Sequence, residues 1–126
     1  VTINRALRIR KILGGGMRQI GYLAAAGLFA LEHNIERLTE DHRRAKELGI
    51  LLNNLPWVAT VEPVETNILI FSVQTTVDEN QLMEKLKQKG IAISSMGHGK
   101  LRIVTHVDYR EVMHSYVLET LEKLEV

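Results

Sequence analysis

The sequence lacks cysteine altogether, has only two prolines and is poor in aromatic residues. The absence of cysteine excludes disulfides, thiolate metal ligands and thiol catalysis. Aromatic residues make up 5% of the 126 residues and the formal net charge is +1, so the chain lacks the surface of a general nucleic-acid-binding protein. The most apolar run, residues 20–31, is too short to cross a bilayer. We therefore expect a globular domain that binds neither nucleic acid nor membrane.

Apolar residues recur at helical spacing through the first half of the chain. Steps of three and four residues predict a helix that ends at glycines 14–16, a second helix over residues 17–34, and a long third helix that Pro56 ends. The small residues of the second helix are typical of close packing against another element. We interpret residues 1–55 as a helical linker and packing region.

The second half alternates strands with helices. The β-branched and apolar runs predict four strands, at residues 58–61, 67–73, 91–94 and 101–106. Two capping-box patterns, Asp78 with Gln81 and Asp108 with Glu111, predict the starts of two helices. We expect an α+β fold, with helices packed on a short, largely antiparallel sheet and residues 56–126 forming a small domain.

The stretch LGGGMRQ places three glycines before Arg18 at the expected start of the second helix. Glycine is costly to order, and an arginine at a helix N-terminus opposes the helix dipole. Exposed backbone N–H groups together with Arg18 would form an anion site, which would relieve that conflict. The alternative is an Arg18 side chain that simply reaches into solvent.

Arg102 lies inside the apolar strand KLRIVTH. Alternation places Leu101, Ile103 and Thr105 on one face of the strand and Arg102 on the other. An arginine in such a strand is commonly an edge residue. It is otherwise a planar donor that binds a carboxylate through two hydrogen bonds.

Two other patterns are weak. The stretch GHGKLR looks like part of a phosphate loop, but Leu101 stands where a Walker loop needs serine or threonine. His33 and His42 are nine residues apart and fall on opposite sides of a helix, and the other three histidines lack carboxylates at ligand spacing, apart from Asp108 beside His106. We therefore interpret all five as surface or packed residues. The sequence therefore predicts neither nucleotide hydrolysis nor a metal site, and it identifies no catalytic residue.

Four stretches together resemble the C-terminal part of the L-threonine aldolases, which are fold-type-I enzymes dependent on pyridoxal phosphate (PLP). In chain order they are RKILGGGMRQIGYLAAAGLFAL, RLTEDHRRAKEL, TNILIF and LRIVTHVD. The resemblance implies that residues 1–126 are the C-terminal domain of an enzyme that cleaves threonine or allo-threonine, which are β-hydroxy-α-amino acids, to glycine and an aldehyde.

The resemblance also implies roles for three cationic residues. Arg102 takes the position of the arginine that binds the substrate carboxylate. Arg18 and Lys11 match residues that lie close to the cofactor phosphate across a subunit boundary. The Schiff-base lysine and the acid that pairs the pyridinium nitrogen lie upstream in such enzymes, so we expect this chain to be inactive alone and to hold PLP only within the full-length parent.

Partners and compartment follow from the same resemblance. We expect the chain to contact the N-terminal PLP-binding domain of the same polypeptide and further copies in a dimer or tetramer. The expected substrate is a β-hydroxy-α-amino acid. The chain begins with Val1 inside a predicted helix rather than with methionine, so we expect either a processed chain or a piece of a longer protein. We expect the protein to be located in the cytoplasm, with the mitochondrion as the alternative compartment. The alternative function is a non-catalytic protein-interaction module derived from such an enzyme.

Overall fold

A computed structural model describes residues 2–126 and divides the chain into two compact units, one ending at Glu36 and one spanning Arg37–Val126. The first unit contains helix α1 (Thr2–Arg10), a five-residue π-type turn at Lys11–Gly15, and helix α2 (Gly21–His33). No residue of this unit within the described chain is buried.

The second unit is a four-stranded sheet with three helices. Its elements, in chain order, are α3 (Leu38–Leu52), β1 (Val58–Val61), β2 (Ile68–Val73), α4 (Glu79–Gln88), β3 (Ser94–Gly97), β4 (Lys100–Val104) and α5 (Glu111–Glu122). The strand order is β1-β2-β4-β3, and every neighbouring pair is antiparallel. The predicted α+β fold with an antiparallel sheet is therefore confirmed. The structure places α3 with the sheet, whereas the sequence grouped it with the preceding helices.

One face of the sheet and the three helices of the second unit form a single hydrophobic core. Alternate residues of β2, Leu69, Phe71 and Val73, are buried, as period-two alternation requires. The helices contribute buried leucines to the same core, namely Leu48, Leu52, Leu82, Leu86 and Leu121. Each such side chain stabilises the unit by about 1.5–3 kcal/mol relative to an exposed one. The opposite face of the sheet carries none of these core residues.

Strand β3 begins at Ser94, so the prediction of a strand from residue 91 is wrong. The reason is the end of α4, where Gly90 has a φ of 77° and donates to the carbonyl of Lys87. The N–H of Ile91 donates to the carbonyl of Leu86 at 2.9 Å, which completes a Schellman motif. Ile91 packs into the core beside Leu86. Its backbone donor is therefore used by the helix end and does not pair in the sheet.

The two predicted capping boxes have different outcomes. Asp78 does cap α4, because its Oδ1 accepts hydrogen bonds from the N–H groups of Asn80 (2.8 Å) and Gln81 (3.2 Å). Asp108 does not cap α5. That helix has Arg110 at its cap position without a side-chain cap, and the carboxylate of Glu111 binds arginines of α3 instead.

Helix α2 begins at Gly21, later than the predicted start at Met17. Gln19 has a φ of 56°, in the left-handed region that interrupts a right-handed helix. Arg18 therefore lies in the turn before α2 rather than in its first turn. Over residues 2–126, no helix combines the length and the hydropathy that crossing a membrane would require.

Candidate functional site

Arg102 lies on the sheet face that the helices of the second unit leave open. Leu101 and Thr105 are buried on the helix side, whereas Arg102 is exposed, so the predicted alternation along β4 is confirmed. Strand β4 is interior to the sheet, and Arg102 lies between Ile70 of β2 and Ser94 of β3. The interpretation of Arg102 as an edge residue is therefore wrong.

The two cationic residues of β4 differ in their partners. Lys100 lies two residues before Arg102 on the same face, and its Nζ is 2.7 Å from Oε1 of Glu62. The guanidinium of Arg102 makes no ion pair or side-chain hydrogen bond anywhere in residues 2–126. Partly exposed Ile68 and Val104 pair with each other across the strands on the same side of the sheet. The open face thus presents one unpaired guanidinium beside the apolar side chains of Ile68 and Val104.

Buried hydrogen bonds fix the end of the strand that carries Arg102. The hydroxyl of Thr105 donates to the carbonyl of Asp41 at 2.7 Å, and the side-chain amide of Asn67 donates to the carbonyl of Thr105 at 2.8 Å. The carboxylate of Asp41 is itself buried and accepts two hydrogen bonds from Arg37, at 2.9 and 3.0 Å. Helix α3 and Asn67, the residue before β2, therefore both hold the C-terminal end of β4.

A second polar cluster holds the turn between β4 and α5. His114 is buried, with Nε2 2.8 Å from Oε2 of Glu47 and Nδ1 3.2 Å from the hydroxyl of Tyr109. Because a carboxylate only accepts, the imidazole donates at Nε2. Arg43 and then His114 lower the pKa of Glu47. Burial raises the pKa of Tyr109 to about 12, so this phenol stays neutral near physiological pH.

Glu111 joins α5 to α3 through two arginines. Its Oε2 lies 2.6 Å from Arg43 and 3.1 Å from Arg44, and these contacts lower the pKa of its carboxyl. Arg44 also donates to the carbonyl of Tyr109 at 2.8 Å. Together the two clusters attach the turn after β4 to α3 at several points.

The glycine turn in the first unit explains its three consecutive glycines. Gly14 has a φ of 90°, which other residues rarely adopt. A Cβ on Gly15 would lie 2.9 Å from the carbonyl oxygen of Arg10, and a Cβ on Gly16 would lie 2.9 Å from Cγ of Lys11. Each glycine is therefore required by the backbone or by a close approach.

Lys11 and Arg18 flank this turn. Both are exposed, and neither forms an ion pair with any residue of the described chain. An ammonium group and a guanidinium group without carboxylate partners make a donor set that suits a phosphate group. These two residues belong to the first unit, and Arg102 belongs to the second.

The sequence did not predict the polar clusters that attach the end of β4 and the following turn to α3. The histidine pattern alone predicts a surface or packed His114, whereas Val117 and Leu121, which follow it at helical spacing, indicate the buried face of α5. Its partner Glu47 lies on another helix, so no local pattern could reveal the pair.

No sequence pattern predicted the apolar cleft of about 320 Å³ that the structure contains. It lies in the second unit beside the end of β4, and its lining includes Ile93, Ile103, His106, Tyr109, Met113 and Tyr116. Neither arginine nor lysine lines it, so it does not provide the cation of an anion site. In residues 2–126, no three acidic or histidine side chains are grouped as a metal site requires.

The chain is similar to enzymes of one family. The family model of the beta-eliminating lyases matches residues 2–76, more than half of the chain. A probable low-specificity L-threonine aldolase 2 of Arabidopsis thaliana is 36% identical over 97% of this chain and 35% of its own length. The low specificity L-threonine aldolase of Escherichia coli strain K12 is 42% identical over 84% of this chain and 30% of its own length.

Two solved structures share the fold. The cystine C-S lyase C-DES, in complex with its product cysteine persulfide, superposes with a TM-score of 0.63 over 84% of this chain and 29% of its own, at 20% identity. A C-DES mutant with glycine covalently linked to its PLP cofactor gives a TM-score of 0.62 over 83% of this chain and 28% of its own. The chain spans about a third of the length of the curated relatives reported above. By the family match, this chain belongs to the beta-eliminating lyase family.

Proposed function

We propose that this chain is the C-terminal domain of a PLP-dependent aldolase that cleaves L-threonine or L-allo-threonine to glycine and an aldehyde. The observation that carries the proposal is Arg102, a cation without a carboxylate partner in the described chain, on an interior strand and an open sheet face. The names of the relatives support the reaction class, since those at 36% and 42% identity are threonine aldolases.

In this proposal Arg102 binds the substrate carboxylate. Its guanidinium offers two parallel N–H donors that match the two oxygens of a carboxylate. Ile68 and Val104 on the same face would exclude water around that ion pair once the face is covered, which strengthens the attraction. Lys100 on the same strand is already paired with Glu62, so it does not compete for the substrate.

Lys11 and Arg18 would hold the cofactor phosphate. PLP, when bound, withdraws electrons from the substrate and so lowers the barrier to breaking the bond between Cα and Cβ. We propose that the Schiff-base lysine lies in the part of the enzyme that this chain does not contain, so that the chain alone is inactive. We further propose a cytoplasmic homo-oligomer in which Lys11 and Arg18 serve the cofactor of a neighbouring subunit.

A chimera tests this function. In the aldolase chimera, the 126 residues of this chain replace the matching segment of the E. coli low specificity L-threonine aldolase. We expect the chimera to release glycine from threonine. We expect Arg102→Ala to raise the KM for threonine by about 100-fold, because losing one partner of a desolvated ion pair costs about 3 kcal/mol.

Lys100→Ala is the matched control, since it removes a cation from the same strand and face. We expect it to change KM by less than about twofold, because an exposed ion pair such as Lys100–Glu62 contributes little. Equal KM values for the two variants would overturn the assignment of Arg102. A folded chimera that binds PLP but releases no glycine would favour the non-catalytic interaction module instead.

A further inference from the structure

We propose that Ser94 donates a hydrogen bond to the substrate carboxylate that Arg102 binds. This inference rests on the proposed function and adds a second substrate-binding residue to it. Ser94 is the first residue of β3 and the direct register partner of Arg102 on β4.

The register places the two side chains side by side. Directly opposed residues of an antiparallel pair point to the same face, with Cβ atoms about 4.5–5.5 Å apart. Ser94 therefore shares the open face with Arg102, and it is exposed there. A ligand held by the guanidinium lies within reach of a hydroxyl at that spacing.

The hydroxyl of Ser94 is free, unlike that of its neighbour. Oγ of Ser95 accepts a hydrogen bond from the N–H of Gly97 at 3.0 Å, within the β3–β4 hairpin, and its hydroxyl donates to Oε1 of Glu79 at 3.5 Å. Oγ of Ser94 makes no hydrogen bond within residues 2–126. The serine that faces the same side as Arg102 thus retains its donor, whereas the serine on the other side is used by the local structure.

The chemistry of a carboxylate fits this pair of donors. Its two oxygens offer about four acceptor sites, and a guanidinium fork occupies two of them. A neighbouring hydroxyl can donate to a third, in a charge-assisted hydrogen bond. Ile70, the partner of Arg102 on the other neighbouring strand, has no side-chain donor. Arg102 and Ser94 therefore form an asymmetric site that would orient the carboxylate toward β3.

The test uses the aldolase chimera with three serine variants. We expect Ser94→Ala to raise the KM for threonine about tenfold, because a hydrogen bond to a charged group is lost, and to change kcat by less than about twofold. Ser94→Thr keeps the hydroxyl and should restore KM to within about threefold. Ser72→Ala is the matched control, since Ser72 lies opposite Lys100 on the same face. It should leave KM unchanged.

A calorimetric titration with glycine supplies a second measurement that needs no turnover. Glycine carries the same carboxylate, so Ser94→Ala should weaken its binding by the same factor as it raises KM. An unchanged KM and glycine affinity in Ser94→Ala, with the large effect of Arg102→Ala intact, would overturn the role of Ser94 and leave the proposed function standing. If Arg102→Ala also had no effect, the proposed function itself would fail.

Discussion

The two units of this chain differ most in what they bury. The second unit has a core of leucines, valines and aromatic residues, whereas no described residue of the first unit is buried. Helix α2 carries apolar residues on every side, including Tyr22, Leu23 and Phe29, and all three are more than half exposed. A helix that is apolar all round is normally enclosed by other protein. The second unit therefore buries its own apolar side chains, whereas those of α2 stay exposed within residues 2–126.

The two units are alike in how they present cations. Lys11 and Arg18 in the first unit and Arg102 in the second have no carboxylate partner in the described chain. Both arginines of α3, Arg43 and Arg44, are paired instead with Glu111. Other cations of residues 2–126, such as Arg110, also lack a carboxylate partner, so Arg102 is distinguished by its place on an interior strand and an open sheet face.

Separating the units gives the largest predicted effect. Residues 37–126 expressed alone should unfold cooperatively in urea, because their core is complete within that segment. Residues 1–36 alone should show weak helical circular dichroism and no cooperative transition, since short isolated helices are marginal in water. A cooperative transition in the shorter fragment would contradict the claim that the first unit has no core of its own.

Truncating one leucine in each unit tests whether only the second unit has a stabilising core. Leu48→Ala in the core should lower the free energy of unfolding by about 2–5 kcal/mol, from lost burial and the cavity left behind. Leu23→Ala, in the exposed α2, should change it by less than about 0.5 kcal/mol. Urea denaturation of the whole chain measures both. Similar losses for the two variants would contradict the assignment of the core to the second unit.

Removing the hydroxyl of Thr105 tests the anchoring of β4. Thr105→Val should destabilise the second unit by about 1–3 kcal/mol, because the carbonyl of Asp41 loses a buried donor. Thr60→Val makes the same chemical change at an exposed strand position and should cost less than about 0.5 kcal/mol. The comparison of their urea midpoints isolates the buried hydrogen bond. Equal costs would show that the bond does not hold the strand.

Acid should weaken the second unit through its carboxylates. Arg43 is the largest cause of the lowered pKa of both Glu47 and Glu111. A carboxyl whose pKa is lower in the folded state contributes stability above its unfolded pKa, and that contribution is lost as pH falls. Stability of residues 37–126 should therefore fall below about pH 4.5, and Arg43→Gln should flatten that fall. Lys46→Gln is the control, because it removes an exposed cation of α3 that has no carboxylate partner in residues 2–126. An unchanged slope in Arg43→Gln would contradict the linkage.

Local patterns in the sequence were enough for most elements of the sheet. The β-branched run predicted β2, and Asp78 predicted the start of α4. Alternation along β4 predicted that Arg102 and Leu101 lie on different faces of the sheet. These features depend on neighbours a few residues apart, which a sequence displays directly.

Features that depend on distant partners could not be predicted. Asp108 and Glu111 have the spacing of a capping box, but arginines of α3 bind Glu111 instead. The missing partner of Arg102 and the free hydroxyl of Ser94 depend on strand register, which becomes visible only when β3 and β4 are paired. The sequence therefore predicts the central arginine of the candidate site, whereas the surroundings of that arginine are visible only in the structure.

The most direct test of the account is a crystal structure of the aldolase chimera with glycine bound. The account predicts that both carboxylate oxygens of glycine accept hydrogen bonds from the guanidinium of Arg102, at about 2.7–2.9 Å. A glycine carboxylate bound by other residues, with the guanidinium of Arg102 turned into solvent, would contradict it.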